Sequence, residues 1–436
     1  MAKSAGPRSV ALVGPYMSGK TTLLESILFA TKKISRKGTT SEGSTVGDHS
    51  QEARDRSMGT EVNVATASYL GDSFSFLDCP GSIEFAQETY NALIGVDAAV
   101  IVADADPAKA LALSGLLHFL EEHRIPRLLF INKVDKMEGT VDRVVDSIQA
   151  TSQAPLVLRE FPILEGENLR GYIDLPSGRA FTYADDGAST QTDVPAALKD
   201  EFAAARYAML ERLSDFDEAL MERLLEEEAA DNDQAYASLR TAFQEGHIVP
   251  TIFGAAELDA GVWRLLKMLR HEVASSDVAA ARIGATATTP VAQILKTFQT
   301  PNFGKLSVAR VWSGTFKDGD SANGERIASL YHMVGQQTEK VSTAGPGDIV
   351  AFGWLDEAKT GDTLTATGTA QALPRVAAMP PVFAMTIAPA KRDDDVKLSG
   401  SLAKILDEDP SLQLEHNQET GETILRGQGE IHLRVA

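Results

Sequence analysis

Near the start of the chain Gly14-Pro15-Tyr16-Met17-Ser18-Gly19-Lys20-Thr21-Thr22 fits the spacing G-x-x-x-x-G-K-[ST]. Such a loop wraps phosphates because its backbone N–H groups point into one concavity, while Lys20 adds a point charge and Thr21 offers a hydroxyl to Mg²⁺. Downstream, Asp78-Cys79-Pro80-Gly81 supplies a carboxylate able to hold Mg²⁺ through water and a glycine N–H able to meet a γ-phosphate. A third group, Asn132-Lys133-Val134-Asp135, carries the chemistry of base selection. Guanine presents N1–H and its 2-amino group side by side, and one carboxylate, Asp135, can accept both. Adenine lacks these donors, so against it Asp135 becomes an unpaired buried charge. Asn132 either braces the loop or bonds the base, and Lys133 can lay its methylene stem on the ring. The ligands implied are GTP or GDP with Mg²⁺.

These groups need a scaffold that brings them to one edge. Val10-Ala11-Leu12-Val13 reads as a short buried strand, and Leu23, Leu24, Ile27 and Leu28 fall on one face of a helix that begins at the loop. Strand, glycine loop and helix N-terminus together favour an anion. Phe74-Ser75-Phe76-Leu77 predicts a strand ending at Asp78, and Ala98 to Ala103 and Arg127 to Ile131 predict two more. The latter delivers Asn132. Between these two, Leu111, Leu113, Leu116, Leu117 and Leu120 predict a helix. The polar stretch 37–63 is either a plain surface loop or a mobile segment closing over the terminal phosphate.

The remaining properties set bounds. A chain of 436 residues suggests about three domains. With 41 basic against 61 acidic residues the net charge is −20, which argues against non-specific nucleic-acid binding and against DNA as a partner. One cysteine, Cys79, excludes an intrachain disulfide and fits a reducing compartment. The N-terminus, Met1 to Arg8, lacks an apolar signal core, and no apolar run reaches spanning length. The expectation is a soluble, cytoplasmic monomer with no membrane partner.

The order of these motifs resembles the translational GTPases, and the later sequence is similar to bacterial elongation factor G. The resemblance covers the phosphate loop, Asp78 to Phe85, Asn132 to Asp135, and Pro250-Thr251-Ile252-Phe253-Gly254-Ala255-Ala256, where Gly254, Ala255 and Ala256 match the last guanine-contacting loop with Ala255 in place of the usual serine. It implies that Lys20, Gly81 and the residue at position 82 serve catalysis, and that residues 14–22, 78–82, 132–135 and 254–256 hold the nucleotide. The long interval after Asp135 includes strand-like pieces and an acidic helical region in which Met209, Leu213, Phe216, Leu220 and Leu224 repeat at helical steps. Its charge run, Glu226-Glu227-Glu228, reads as a solvated face; the resemblance adds an insertion that meets ribosomal stalk proteins. From 274 to 289 the composition suggests a linker. Short strands with turns at Asn302, Gly314 and Gly319 then suggest a barrel. Strand, helix, strand, strand after Pro381, closing on Gly427-Gln428-Gly429-Glu430-Ile431-His432-Leu433, is half of a split βαβ unit.

The expected fold is therefore multidomain: an α/β P-loop GTPase domain over 1–275 with an α+β insertion at about 155–246, an all-β barrel over 288–372, and a partial ferredoxin-like α+β domain over 380–436. The resemblance implies further domains beyond, and a chain stopping inside a packed element reads as a fragment.

Three positions depart from the family pattern, all on the γ-phosphate side. Ser82 stands where a histidine positions water, Met17 where aspartate is usual, and Gly59 where the Mg²⁺-binding switch threonine belongs, with Thr60 one place later. A serine hydroxyl is too short and too weak a base to replace imidazole. Slow or altered hydrolysis is expected, with His49 a candidate substitute or a plain surface histidine. Three functions stay open: a ribosome-dependent GTPase of translocation or recycling, touching rRNA and stalk proteins; a non-hydrolysing GTP-binding regulator; and a ribosomal protection or sulfate-activation type GTPase.

Overall fold

The computed structural model describes residues 6–436 apart from 167, 185–186, 227–230, 301–303, 367–371, 390 and 392–394. Met1 to Ala5, Glu227, Glu228 and Asn302, named above, lie outside the described residues.

The strands Arg8–Val13, Ala98–Asp104, Arg127–Asn132 and Val249–Phe253 are buried along their whole length. Uninterrupted apolar strands of this kind require a parallel sheet covered on both faces. Within a larger mixed sheet that continues from Asn63–Tyr69 into Ser329–Val334, the order is Asn63–Tyr69, Asp72–Asp78, Arg8–Val13, Ala98–Asp104, Arg127–Asn132, Val249–Phe253 and Leu156–Leu158. Of these, only Asn63–Tyr69 runs antiparallel to its neighbour. It is joined through Leu70 and Gly71, whose positive φ values of 49° and 88° give the turn geometry that matches strand twist.

Helix Lys20–Ala30 covers one face with Leu23, Leu24, Ile27 and Leu28, all fully buried as their spacing predicts. Helices Ala86–Ile94 and Ser114–Glu122 cover the other. The predicted leucine face from 111 to 120 is interrupted. Pro107–Leu113 is a 3₁₀ turn, so Leu111 points to water at 77% exposure, while Leu113, Leu117 and Leu120 are buried.

The insertion has a four-stranded antiparallel sheet, Glu160–Glu165, Asn168–Asp174, Arg179–Tyr183 and Ser189–Thr192, and helices Lys199–Ser214, Glu218–Leu225 and Asn232–Gln244. Met209, Leu213 and Leu220 are buried. Phe216 is exposed because the helix breaks there: the Asp217 side chain accepts from Leu220 N–H and starts a new helix. The expected linker contains helix Ser276–Arg282, which is held because Ala279 and Ala280 pack against Trp312.

The second body winds Thr363–Thr365, Val291–Thr300, Gly304–Ser313, Ile349–Gly353 and Ser329–Val334 in antiparallel succession around Phe316, Phe352, Val311 and Leu330. Arg310 fixes it to the first: its Nη2 lies 2.8 Å from Asp97 Oδ1, with both side chains buried. In the third body Thr423–Gly427 sits between Phe383–Ile387 and Gln413–His416 and is antiparallel to both. The outer strands are therefore parallel to each other, with helix Asp395–Glu408 in the crossover, as in half of a split βαβ unit.

Candidate nucleotide site

Strand register brings the motifs together. Leu12 lies opposite Asp78, Val13 opposite Ile101, Asp104 opposite Asn132, and Ile131 opposite Phe253. Loops starting at Gly14, Cys79, Lys133 and Gly254 thus all leave from the carboxyl edge of the parallel strands, where open α/β sheets bind ligands.

The phosphate loop is shaped by two glycines. Gly14 and Gly19 have φ of 144° and 94°, and an added Cβ would fall 2.2 Å from Val102 O and 2.4 Å from Asn132 Nδ2 respectively. Lys20 is buried, and its ammonium donates to the carbonyls of Gly14 and Pro15, each at 3.0 Å. Burial holds its pKa down, opposed by the nearby carboxylates of Asp78 and Asp48. Ser18 Oγ is buried without a hydrogen-bond partner among the described residues, while Tyr16 and Met17 stand exposed at the mouth. A cavity of about 410 Å³ opens here, lined by Gly19, Lys20, Thr21, Asp48, Asp78 and Lys133 among others.

On the cavity's metal side, Thr21 Oγ1 donates to Asp78 Oδ2 at 2.8 Å. Among the described residues, Asp78 Oδ1 is buried with no hydrogen-bond partner. Burial first, and Asp48 second, push the Asp78 carboxyl up to about 7, and burial also raises that of Asp48. Two crowded carboxylates, one with an unpartnered oxygen, and a hydroxyl form a donor set suited to a hard divalent cation such as Mg²⁺. Asp48 was not found by sequence reasoning. It belongs to the aperiodic stretch 37–63, in which Gly47 packs so closely on Asp78 and Thr21 that an added Cβ would lie 2.4 Å from Asp78 Oδ2. That stretch is also less uniform than a loop, since Ser50 caps a helix, Gln51–Arg56.

On the base side Asn132 is a brace. Its Nδ2 donates to Ser18 O and its Oδ1 accepts from Ala256 N–H, each at 2.9 Å. The side chain therefore joins the phosphate loop to the loop after Phe253. Lys133 has φ of 63° and donates from Nζ to Met17 O at 2.6 Å and to Asp104 Oδ2 at 3.2 Å. Asp135 is half-buried, and no hydrogen bond reaches its carboxylate among the described residues. Val134 and Cys79 turn their side chains into the core. Gly254 accepts from Val134 N–H at 3.2 Å and packs so tightly on Phe130 that a Cβ would lie 2.2 Å from the ring. Ala255 pairs with Ala260, and Ala256 O accepts from Ser26 Oγ at 2.7 Å.

Past the buried Pro80, Gly81 presses on the phosphate loop. An added Cβ would sit 2.5 Å from Lys20 Nζ and 2.6 Å from Tyr16 N. Ser82 Oγ accepts from Glu84 N–H at 3.4 Å and so caps the turn Ile83–Phe85. Two expected positions lie elsewhere. Thr60 and His49 face a separate cavity between the three bodies, where His49 Cδ2 lies 3.2 Å from the Cβ position of Gly335. The chain turns there because Asp48, one residue earlier, takes the inward place. Glu84, unremarked in the sequence, reaches the third body.

The carboxyl-edge phosphate loop, the Asp78 strand end and the Asn132 brace define a P-loop nucleotide-binding protein. Residues 6–275 match the family described as "Elongation factor Tu GTP binding domain", 290–367 "Elongation factor G domain 2", and 379–436 "Elongation Factor G, domain III". The chain belongs to the translational GTPases of the elongation factor G family. It is 46% identical over 432 residues to an "Elongation factor G-like protein" of Synechocystis sp., covering 98% of this chain and 64% of that protein. To elongation factor G of Thermotoga neapolitana it is 29% identical, covering 98% and 65%. A crystal structure of a Thermus thermophilus protein superposes with a TM-score of 0.88 at 29% identity, over 99% of this chain and 65% of that one. The chain thus spans a little under two thirds of the length of these relatives. No helix among the described residues is long and apolar enough to cross a membrane.

Proposed function

We propose that this chain is the nucleotide-switch part of a translational GTPase that acts, as a cytoplasmic monomer, on the ribosome. GTP and GDP are bound by residues 14–22, with Asp135 selecting guanine and the loop at 254–256 closing over it. Thr21 and Asp78, with Asp48 beside them, would hold Mg²⁺, which when bound would supply neutralisation of phosphate charge. The observation that carries the reading is the Asn132 side chain, which ties the phosphate cradle to the base loop through Ser18 and Ala256.

Gly81 gives the pocket its switch. A Cβ built on Gly81 would fall 2.6 Å from Tyr16 N and 2.5 Å from Lys20 Nζ, so a terminal phosphate bound at those donors would press on segment 81–85 and a diphosphate would not. Contact with rRNA and stalk proteins, in translocation or recycling, follows the family and is tested by ribosome-stimulated phosphate release.

Hydrolysis is slow in this reading. Ser82 is committed to capping its own turn, and His49 lies on another cavity, so no imidazole is directed at the phosphates by either. The same observation favours a second reading, a regulator switched by occupancy alone. Phosphate release with and without ribosomes separates the two. Multiple turnover at rates typical of elongation factor G contradicts slow hydrolysis, and none at all supports the regulator.

A further inference from the structure

Lys296 is buried where the three bodies meet. It lies on strand Val291–Thr300 at a register irregularity between Ile294 and Lys296, a feature that re-aims side chains. Its ammonium donates to Glu88 Oε1 at 2.9 Å, and both side chains are almost fully buried, at 7% and 4% exposure. The second oxygen of Glu88 accepts from Val62 N–H at 3.2 Å. Val62 ends the stretch that folds over Thr21 and Asp78, so a single carboxylate on the helix after segment 81–85 holds both that stretch and the second body.

Two further carboxylates share the same ammonium. Glu61, next to Val62, and Glu408, at the end of the third body's helix Asp395–Glu408, both act on Lys296 electrostatically. Glu408 also accepts from Gln299 N–H on the Lys296 strand. All four charged groups line one cavity of about 680 Å³, together with Glu52, His49, and Asp409, which is paired to His432 at 2.8 Å. The arrangement is short of positive charge: Glu61, Glu88 and Glu408 come from three separate elements and face one lysine. Lys296 satisfies Glu88 by direct contact and attracts Glu408 and Glu61 as well, while these two carboxylates repel each other more weakly across the junction. A displacement of Glu61 therefore changes the balance that seats Glu408.

We propose that Lys296 is a positioning residue of the nucleotide switch, holding the end of stretch 45–62 through Glu88 and linking its register to the seat of the third body through Glu61 and Glu408. This rests on the reading that residues 14–22 and Asp135 bind GTP and GDP. Because neither Lys296 nor Glu88 lines the nucleotide cavity, whereas Glu61 does, the pair acts on the difference between nucleotides.

The test uses the whole chain and measures Kd for GDP and for a non-hydrolysable GTP analogue in Lys296→Met, Glu88→Gln, the double variant and Lys296→Arg. GDP affinity is expected to stay within about twofold, while the GTP-to-GDP affinity ratio in each single variant shifts roughly 5- to 150-fold, the usual range of coupling between sites. The double variant should shift less than the two singles combined, and Lys296→Arg should keep the original ratio. Equal loss of both nucleotides, an unchanged ratio, or additive effects overturn the proposal. If Lys296→Met does not fold, Glu88→Gln decides alone by the same ratio. Failure of the unaltered chain to bind GDP overturns instead the nucleotide reading beneath it.

Discussion

The carboxylate of Glu84 accepts a hydrogen bond at 2.8 Å from the backbone N–H of His432, a residue 348 positions away. Glu84 lies in the turn that follows Gly81 and Ser82, and His432 in the last helix, Glu430–Val435. Negative charge near the first turn of a helix is favourable, because the amide groups there have no partner within it. Phe85 adds an edge-on contact with the His432 ring, centroids 5.6 Å apart, and the ring's Nε2 lies 2.8 Å from Asp409. The segment after Gly81, which the proposed function makes responsive to a terminal phosphate, is thus tied to the third body. A displacement of Gly81 is carried to residues 380–436 by two adjacent side chains.

Glu84→Ala removes that anchor. The expected cost is about 1 kcal/mol, the scale of a lost helix cap, with residues 380–436 becoming more susceptible to protease while GDP affinity is kept. Glu84→Gln, which retains an acceptor, should fall between. Unchanged protease sensitivity in Glu84→Ala contradicts the linkage.

Asn132→Ala strips the brace between the two loops and leaves Ala256 N–H and Ser18 C=O without their side-chain partner. Unpaired buried groups cost about 1–3 kcal/mol, so GDP and GTP should both bind roughly ten- to a hundredfold more weakly. A variant that weakens only GTP would mean that Asn132 serves the γ-phosphate and does not brace the loops.

Much of this site was legible in the sequence, for a physical reason. Gly14 follows, and Asp78 and Asn132 end, buried strands whose apolar runs announce them, while Leu23, Leu24, Ile27 and Leu28 record the face of the helix that opens at Lys20. Asp48 and Glu84 carry no such signal. Asp48 sits in an aperiodic polar stretch, and its partner Asp78 is supplied by the fold; Glu84 acts on a helix from another body. Leu111 and Phe216 mislead because a 3₁₀ turn and a helix break shift the phase of their repeats. Between 274 and 289 a run of small residues resembles a linker, but packing on Trp312 and the Arg282 hydrogen bond to Val96 O hold it as a helix.

The metal side predicts a pH dependence. Asp78 is raised from 3.8 to about 7, chiefly by burial and then by Asp48. Between those values the native chain binds more protons than the unfolded one, so metal-free stability should fall as pH rises through the window. At about pH 8, Asp78→Asn should raise the melting temperature of the metal-free chain, whereas below the lower value it should change little. Added Mg²⁺ should flatten the pH dependence of the unaltered chain and leave Asp78→Asn less affected, as thermal unfolding with and without chelator will show.

Ser82→His restores an imidazole beside Gly81. If water positioning limits the rate, single-turnover GTP hydrolysis should rise by roughly ten- to a thousandfold with GDP affinity unchanged, in keeping with the scale of general-base and positioning effects. No increase would move the limitation to Gly59 or Met17, the other two departures on the γ-phosphate side.

Isothermal titration of the chain with GDP and then ADP, both with Mg²⁺, tests the guanine site most directly. Convergence of Lys20 and Asp135 on one ligand predicts GDP binding with ADP weaker by at least about a hundredfold, since Asp135 against adenine is left unpaired. Equal affinity for the two nucleotides, or heat from neither, contradicts it.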